Sequence, residues 1–528
     1  MGVPASPAPR APGRYRADVA IVGAGVAGLY AATRLPPGLD VVIVDKGTPG
    51  RSGSSPWAQG GMAVALGPDD SPELHADDTV RAGDGLCDRL AVRTLTHEAP
   101  ERIRDLLAMG AAFDRAAGRE GSQDPADLHL AREGGQTVAR SVHTADATGA
   151  EMVRVLRDAA TPLVTRLAGT AIQLAQDDTG RATGLWVLHA DEGLVLLEAR
   201  AVLLASGGCG GLFAATTNQD TATGDGLTLA WLAGAAVRDV EFVQFHPTGL
   251  AVTGSWRFLL TEALRGAGAT LHDVTGRRFL VDAHPDAELA PRHVVAKAIL
   301  DQPEGAWLDA TAIGGEQLAS EFPTVLHGAR EHGFDLATER VPVTPAAHYM
   351  VGGVRSDLDG RTSVPGLYAA GEVASTGIHG ANRMAGNSLT EALVFGARAA
   401  EAIGRELPVL PHGDAGPAPD VREPRRSPEE LADLRHRLRQ AMWHGAGPVR
   451  SAAGMASLRH TLGDLLVELG PRVADPVHAE LLHAVLASQL ICASAQLRAE
   501  SRGGHVREDH PGADDAWAGV HLEAVRPA

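Results

Sequence analysis

The sequence predicts an α/β protein: a Rossmann-like nucleotide-binding domain with an inserted α+β capping domain and a C-terminal helical bundle. Three observations carry this. The chain opens with a strand, a glycine turn, a helix and a second strand that ends in an acid. Two further apolar strands ending in glycine, at Ala205–Gly208 and Ala369–Gly371, lie far apart in the chain, so distant segments complete one sheet around an insertion. After a proline-rich stretch the apolar spacing becomes helical.

The opening element is Asp18-Val19-Ala20-Ile21-Val22, followed by the turn Gly23-Ala24-Gly25-Val26-Ala27-Gly28 and the helical stretch Leu29 to Leu35. Gly23 suits the tight turn, Gly25 close approach of a pyrophosphate, and Gly28 close packing of helix on sheet. The helix N-terminus then offers free N–H groups and its dipole to phosphate. The β-branched strand Val41 to Val44 ends in Asp45, which is placed to accept from ribose hydroxyls. Strands Ala201–Ala205 and Gly366–Ala370 lead into Gly207 and into Gly371-Glu372. Between them, about Asp239 to Gly352, the periodicity is mixed and the polar groups gather at the ends, as expected of a lid over a cleft.

The proline-rich run Pro408 to Pro424 reads as a linker. Ser427-Pro428-Glu429-Glu430 has the residues of a capped helix start. Apolar stripes follow at Leu431, Leu434, Leu438 and Met442, at Met455, Leu458, Leu462, Leu465 and Leu469, and at Leu481, Leu482, Val485 and Leu486. Three amphipathic helices with a packing role are expected. The expected organisation is residues 17–239 and 353–407 as one discontinuous nucleotide-binding domain and 240–352 as the capping domain. Residues 408–426 are the linker, and 427–528 a three-helix domain with a tail.

Composition narrows the function. The 528 residues carry 44% hydrophobic content and a formal charge of −18. Such a chain exceeds one core and is not generally disordered. Its acidity weighs against nucleic acid or an anionic membrane as partner, leaving small molecules. Cys87, Cys209 and Cys492 show no paired spacing, so no disulfide framework and no metal site is expected, and a reducing, cytoplasmic setting fits. With no uninterrupted apolar run of about 18 residues, no transmembrane helix is expected. Residues 1–16 hold four Pro and three Arg and are expected to form a disordered tail.

Several separated motifs, in this order, resemble the fumarate reductase and succinate dehydrogenase flavoprotein family. They are the glycine turn, Ala58-Gln59-Gly60-Gly61, Thr223-Gly224-Asp225-Gly226, Phe245-His246-Pro247-Thr248, His348-Tyr349-Met350-Val351-Gly352-Gly353, Gly380-Ala381-Asn382-Arg383, Asn387-Ser388-Leu389 and Glu500-Ser501-Arg502-Gly503. The resemblance spans Asp18 to Pro511 and implies FAD, its pyrophosphate on the Gly23–Gly28 turn and its isoalloxazine under the lid. It assigns cofactor contacts to Lys46, Ser52, Ser54, Ser55, Gln59, Gly60, Gly61, Gly207, Asp225, Glu372, Asn387, Ser388 and Leu389. Members with covalent flavin carry a His five residues before the Gln of Ala-Gln-Gly-Gly; Ser54 stands there, so the flavin is expected to be non-covalent.

A four-carbon dicarboxylate brings two charges that a dry cleft must neutralise, and arginine forks suit this. Arg383 and Arg292 match the family's arginines, with His246, His348, Thr261 and Gln244 as further donors. In fumarate-reducing members the match of Arg292 delivers a proton, relayed by matches of Glu262 and Arg265. Relatives that reduce fumarate place Phe before the Gly-Gly pair of Arg132-Glu133-Gly134-Gly135; the aspartate-oxidising branch places Glu, as this chain does. A carboxylate there favours an α-ammonium. The bland alternative has Glu133 neutralising Arg132 at a surface turn.

Two positions depart from the branch: Ala267 replaces a common Glu, and Gln136-Thr137-Val138 replaces a His-containing stretch. The expected reaction is oxidation of L-aspartate to iminoaspartate with O2 (giving H2O2) or fumarate as acceptor. It is the first step of NAD biosynthesis through quinolinate, with quinolinate synthase as a transient partner. A soluble fumarate reductase or succinate dehydrogenase flavoprotein and a non-catalytic flavin-binding or nucleic-acid-associated module are the rival readings; the −18 charge and the full set of pocket residues count against the second.

Overall fold

Val19, Ala20 and Ile21 are fully buried, and Val41–Val44 and Ala201–Leu204 beside them are buried too, which is why these segments read as continuous apolar runs. A computed structural model describes residues 13–48, 52–252, 254, 256–422 and 426–526. In it the strand Gly13–Val22 lies between Val41–Asp45 on one side and Gly193–Leu204 on the other, parallel to both. Leu367–Ala369 adds to the far edge of Gly193–Leu204, again parallel. Segments separated by most of the chain thus build one sheet, as the two distant glycine-ended strands require. An antiparallel pair, Thr165–Gln176 with Ala182–His189, joins Val41–Asp45 to Gly193–Leu204 from the other side.

The expectation of a disordered tail through residue 16 needs correction. Gly13 to Arg16 are part of the strand, paired with Val195 to Glu198. Arg14 reaches Glu198 at 3.1 Å, so backbone pairing holds a segment whose own side chains are polar. Residues 1–12 lie outside the described residues.

Helix Val26–Arg34 follows the glycine turn and packs its buried face against helix Asn387–Glu406. A Cβ on Gly28 would stand 2.1 Å from the carbonyl oxygen of Gly23, so only glycine permits this packing. The inserted segment has its own antiparallel sheet, in the order Val243–Leu250, Val341–Met350, Ala306–Asp309, Thr270–His272. It also has its own core around Phe258, Leu264, Leu308 and Val325. The chain leaves and re-enters it at Asp239 and Gly352, which touch: a Cβ on Gly352 would lie 2.0 Å from the Asp239 carbonyl oxygen.

The C-terminal helices are Pro428–Ala446, Ala452–Leu469 and Pro476–Leu497. Ser427 forms a full capping box with Glu430, and the apolar stripes read from the sequence are buried except for Leu486, which is half-buried. Among the described residues, Pro476–Leu497 is the one helix long and apolar enough to cross a membrane, and it is mostly buried within the protein. Its Glu480 and His483 reach the nucleotide-binding domain at Lys46 and Asp225, 3.4 and 3.7 Å away.

Candidate active site

One continuous cleft of about 2000 Å³, open mouth included, runs from the glycine turn along the carboxyl ends of the parallel strands to the capping sheet. Of the residues that the sequence singles out, Gly23, Gly25, Asp45, Lys46, Ser52, Ser54, Ser55, Gln59, Gly60, Gly61, Gly207, Asp225, Glu372, Ser388 and Leu389 line it. At its other end so do Glu133, His246, Thr261, Glu262, Arg292, His348 and Arg383.

Four assigned residues do not line the cleft. Gly28 serves the helix–sheet packing described above. Asn387 is fully buried, its side-chain amide bonded to His75 (2.8 Å) and Thr79 (3.0 Å), so the side chain ties the start of its helix to the helix Pro72–Ala82 behind the cleft. Gln244 and Arg265 stand behind the lining. Gln244 Oε1 accepts from Arg292 (2.9 Å) and Arg383 (3.4 Å) while its amide nitrogen donates to Asn382 Oδ1 and Arg383 O. Arg265 lies 3.5 Å from Glu262 and also donates to the Glu288 carbonyl.

The walls fit an extended dinucleotide. The helix Val26–Arg34 begins at Gly25 with no side-chain cap; the Val26 N–H donates to Ser55 Oγ at 3.2 Å, and Gly25, Val26 and Ala27 line the cleft's end, where an uncapped helix start suits a phosphate. A second uncapped helix start, at Gly386 with φ +83°, delivers Ser388 and Leu389 to the opposite wall. Gln59 Oε1, Ser206 Oγ, Asn218 Oδ1 and Ser388 Oγ are buried polar atoms of lining residues with no partner among the described residues. A polar ligand spanning the cleft would satisfy them. Lys46 donates to Asp225 (2.6 Å) and Thr223 (2.8 Å), and the ammonium holds the buried Asp225 carboxyl far below the usual carboxylate range despite desolvation. Glu372 accepts from the Met350 N–H at 2.9 Å; burial pushes its carboxyl up to about 7.

At the capping end, adjacent strands bring the polar groups together. Gln244 pairs with Tyr349 and His246 with Ala346 in the register, so residues about a hundred positions apart share one wall. Phe245 points the other way, against Phe213 and Trp443. Arg292, first residue of its helix, grips Glu262 through Nε (2.7 Å) and Nη2 (2.6 Å). Among the described residues no carboxylate pairs with Arg383; it lies 5.0 Å over the Tyr349 ring and 3.4 Å from His348 Nε2. Burial, reinforced by the charge of Arg292, lowers the Arg383 guanidinium to about 10. An incoming anion relieves both effects.

Hydrogen-bond donors fix the imidazoles. Arginine only donates, so His348 Nε2 is an acceptor and Nδ1–H donates to Thr217 Oγ1 at 2.8 Å. The Thr248 N–H donates to His246 Nδ1 at 3.3 Å, which leaves the His246 proton on Nε2, a donor for the cleft. Burial and the charge of Arg292 hold both rings well below the ordinary histidine range, so both are neutral.

Glu133 does not neutralise Arg132. Arg132 is exposed and donates to the Gln136 carbonyl, whereas the Glu133 carboxylate turns into the cleft and accepts from the Gly61 N–H at 2.7 Å. A Cβ on Gly60 would stand 3.3 Å from its oxygens, so the Gly60-Gly61 pair makes room for it. Burial raises its carboxyl above the usual range; Glu262 adds to this, and Gly61, Arg292 and Arg383 oppose it. Sequence reasoning missed Thr217, Asn218, Tyr349, Trp57 and Trp256 in the lining. Tyr349 sits inside a motif that was read, and its partners His379 and Glu391 beneath it are reached only through the fold.

The chain matches the FAD binding domain family over residues 18–389 and the fumarate reductase flavoprotein C-terminal family over 477–526. It is 46% identical to the L-aspartate oxidase of Caulobacter vibrioides (94% of this chain, 93% of that one). It is 45% identical to the L-aspartate oxidase of Streptomyces coelicolor (96% and 91%). Among solved structures, a single-substitution form of E. coli quinol fumarate reductase FrdA superposes with a TM-score of 0.87 at 30% identity, covering 98% of this chain and 95% of that one.

Proposed function

The chain belongs to the L-aspartate oxidase family, and from that premise we propose how its cleft oxidises L-aspartate to iminoaspartate, the first step of NAD biosynthesis through quinolinate. FAD, when bound, supplies the hydride acceptor. Gly23, Gly25 and the uncapped helix start hold its pyrophosphate, and Asp45 its ribose. Ser52, Ser55, Gln59, Gly60, Gly61, Gly207, Glu372, Ser388 and Leu389 enclose the rest, and Lys46 and Asp225 lock each other against it. Ser54 has no imidazole with which to form the histidyl bond, so the flavin is held without a covalent link.

Arg383 and Arg292 take the two substrate carboxylates as bidentate forks, assisted by the His246 Nε2–H and Thr261. His348 and Gln244 hold the two guanidiniums in place. Glu133 accepts from the α-ammonium, which orients the Cα–H bond and gives L-aspartate an attraction that a dicarboxylate without an amine does not gain. The carrying observation is this carboxylate, turned into a cleft whose other charges are arranged for a dicarboxylate. For a soluble fumarate reductase or succinate dehydrogenase flavoprotein the carboxylate would have no role, since neither fumarate nor succinate brings a cation to pair with it.

Electrons leave to O2, giving H2O2, or to fumarate, giving succinate. In the fumarate reaction Arg292 delivers the proton to carbon, resupplied through Glu262 and Arg265, which are in contact with each other. Iminoaspartate then passes to quinolinate synthase as a transient partner. The test is stoichiometric: FAD-loaded enzyme in air should form one H2O2 per aspartate consumed, and without oxygen one succinate per aspartate when fumarate is present. Loaded enzyme that leaves aspartate untouched under both conditions would refute the reading.

A further inference from the structure

Glu133 is the first residue of a tight turn closed by the Gln136 N–H to the Glu133 carbonyl (3.2 Å), with Gly135 at φ +84°. A turn carrying a charge into a cleft needs something to hold it there, because the turn bond alone leaves the Glu133 N–H unpaired. That N–H is taken by the Gln136 side chain: Oε1 accepts from it at 3.0 Å, and Gln136 is 3% exposed. A backbone N–H only donates, so the amide oxygen must face Glu133 and the amide nitrogen must face the other way. There it donates to Ser141 Oγ (2.9 Å) and to the Ala385 carbonyl (3.4 Å).

Both acceptors are buried directly behind lining residues of the site. Ser141 lies on the strand that pairs with Met62–Ala63, next to the Gly61 N–H that binds the Glu133 carboxylate. Ala385 immediately precedes Gly386, the cap of the helix that brings Ser388 and Leu389 to the cleft. Beyond Gln136, the Thr137 N–H and Oγ1 both donate to Asp78 Oδ2, at 2.8 and 2.9 Å, so the far side of the turn is anchored separately.

We infer that Gln136 is a positioning residue for substrate selection: its amide ties the Glu133 backbone to both walls of the cleft and thereby sets where the carboxylate meets the substrate amine. This rests on the aspartate-oxidising reading of the site. Gln136 touches neither substrate nor cofactor in the lining, so its effect should fall on the amine-dependent reaction alone.

The test compares FAD-loaded parent, Gln136→Leu and Gln136→His in two assays. Leucine keeps the volume and leaves the Glu133 N–H and the Ala385 carbonyl without the amide, so the KM for L-aspartate should rise about ten- to a hundredfold while kcat changes less than about threefold. Fumarate reduction by chemically reduced enzyme and the affinity for FAD should stay within about twofold of the parent, since neither involves an amine. Histidine offers an acceptor on one nitrogen and an N–H on the other, and should recover most of the aspartate KM. Equal losses in both reactions, loss of FAD, an unchanged aspartate KM, or a His variant no better than Leu would each overturn the inference. A parent that reduces fumarate but does not oxidise aspartate would instead refute the reading beneath it, and the inference with it.

Discussion

Glu133→Gln removes one charge from the cleft and almost nothing else. The amide has the carboxylate's size, and its oxygen can still accept from the Gly61 N–H 2.7 Å away, so the turn is expected to keep its shape. An ammonium about 4 Å from the carboxylate, at an effective dielectric near 20, is attracted by about 4 kcal/mol. The neutral amide retains a hydrogen bond of about 1 kcal/mol, leaving a loss of about 3 kcal/mol, or roughly a hundredfold in kcat/KM for L-aspartate. Fumarate carries no amine, and its reduction by pre-reduced enzyme should change by no more than about threefold. A pH profile adds a second readout. Burial and the neighbouring Glu262 raise the Glu133 carboxyl, and only its ionised form attracts the amine. The attraction is therefore present above that raised pKa and lost as pH falls through it, so the parent's acid limb for aspartate should begin above the usual carboxylate range and vanish in the variant. Parallel kcat/KM measurements with both substrates decide the matter. Equal losses for aspartate and fumarate, or no loss for aspartate, would refute the reasoning.

Arg383→Leu or Arg292→Leu should nearly abolish aspartate oxidation, by about 3 to 5 kcal/mol or two to four orders of magnitude, with FAD still bound by spectrum; near-parental turnover would mean the carboxylates sit elsewhere. Because Ser54 occupies the position of the flavin-linking histidine, acid precipitation should release all FAD into the supernatant, and yellow colour retained on denatured protein would contradict this. Glu372 has its carboxyl raised to about 7 by burial, against an unfolded value near 4.5, so the folded apoprotein holds a proton that the unfolded chain has lost between those pH values. Stability therefore falls as pH rises through this window, by an amount of order 3 kcal/mol, and the Tm gain of apo Glu372→Gln over the parent should be larger at pH 8 than at pH 5.

How much of this was legible in the sequence depends on whether the signal was local. The turn from Gly23 to Gly28 and the acid at Asp45 lie within one strand–helix–strand unit, and the structure keeps that unit as read. The helical stripes after Ser427 were equally readable, since their periodicity and capping box lie within each helix. Gly13 to Arg16 were misread because what makes them a strand is the backbone of Val195 to Glu198, not their own side chains. Asn387 and Ser388 stand side by side in one motif, yet successive residues at a helix start point about 100° apart, so one faces buried His75 and the other the cleft. Arg292 and Arg383 were found through family likeness; only the fold puts both on Gln244. Gln136 stood out as a departure, but its meaning needed Ser141 and Ala385, the latter on a distant part of the chain.

The central claim is that this cleft passes hydride from an amine-bearing dicarboxylate to its flavin and discriminates against one without the amine. Anaerobic mixing of the FAD-loaded enzyme with excess L-aspartate or, separately, with succinate measures this directly through the flavin absorbance near 450 nm, a general property of oxidised flavins. Aspartate should bleach the flavin fully and within the turnover time, and succinate should leave it largely oxidised. Bleaching by succinate as fast as by aspartate, or an oxidised flavin in the presence of aspartate, would contradict the account.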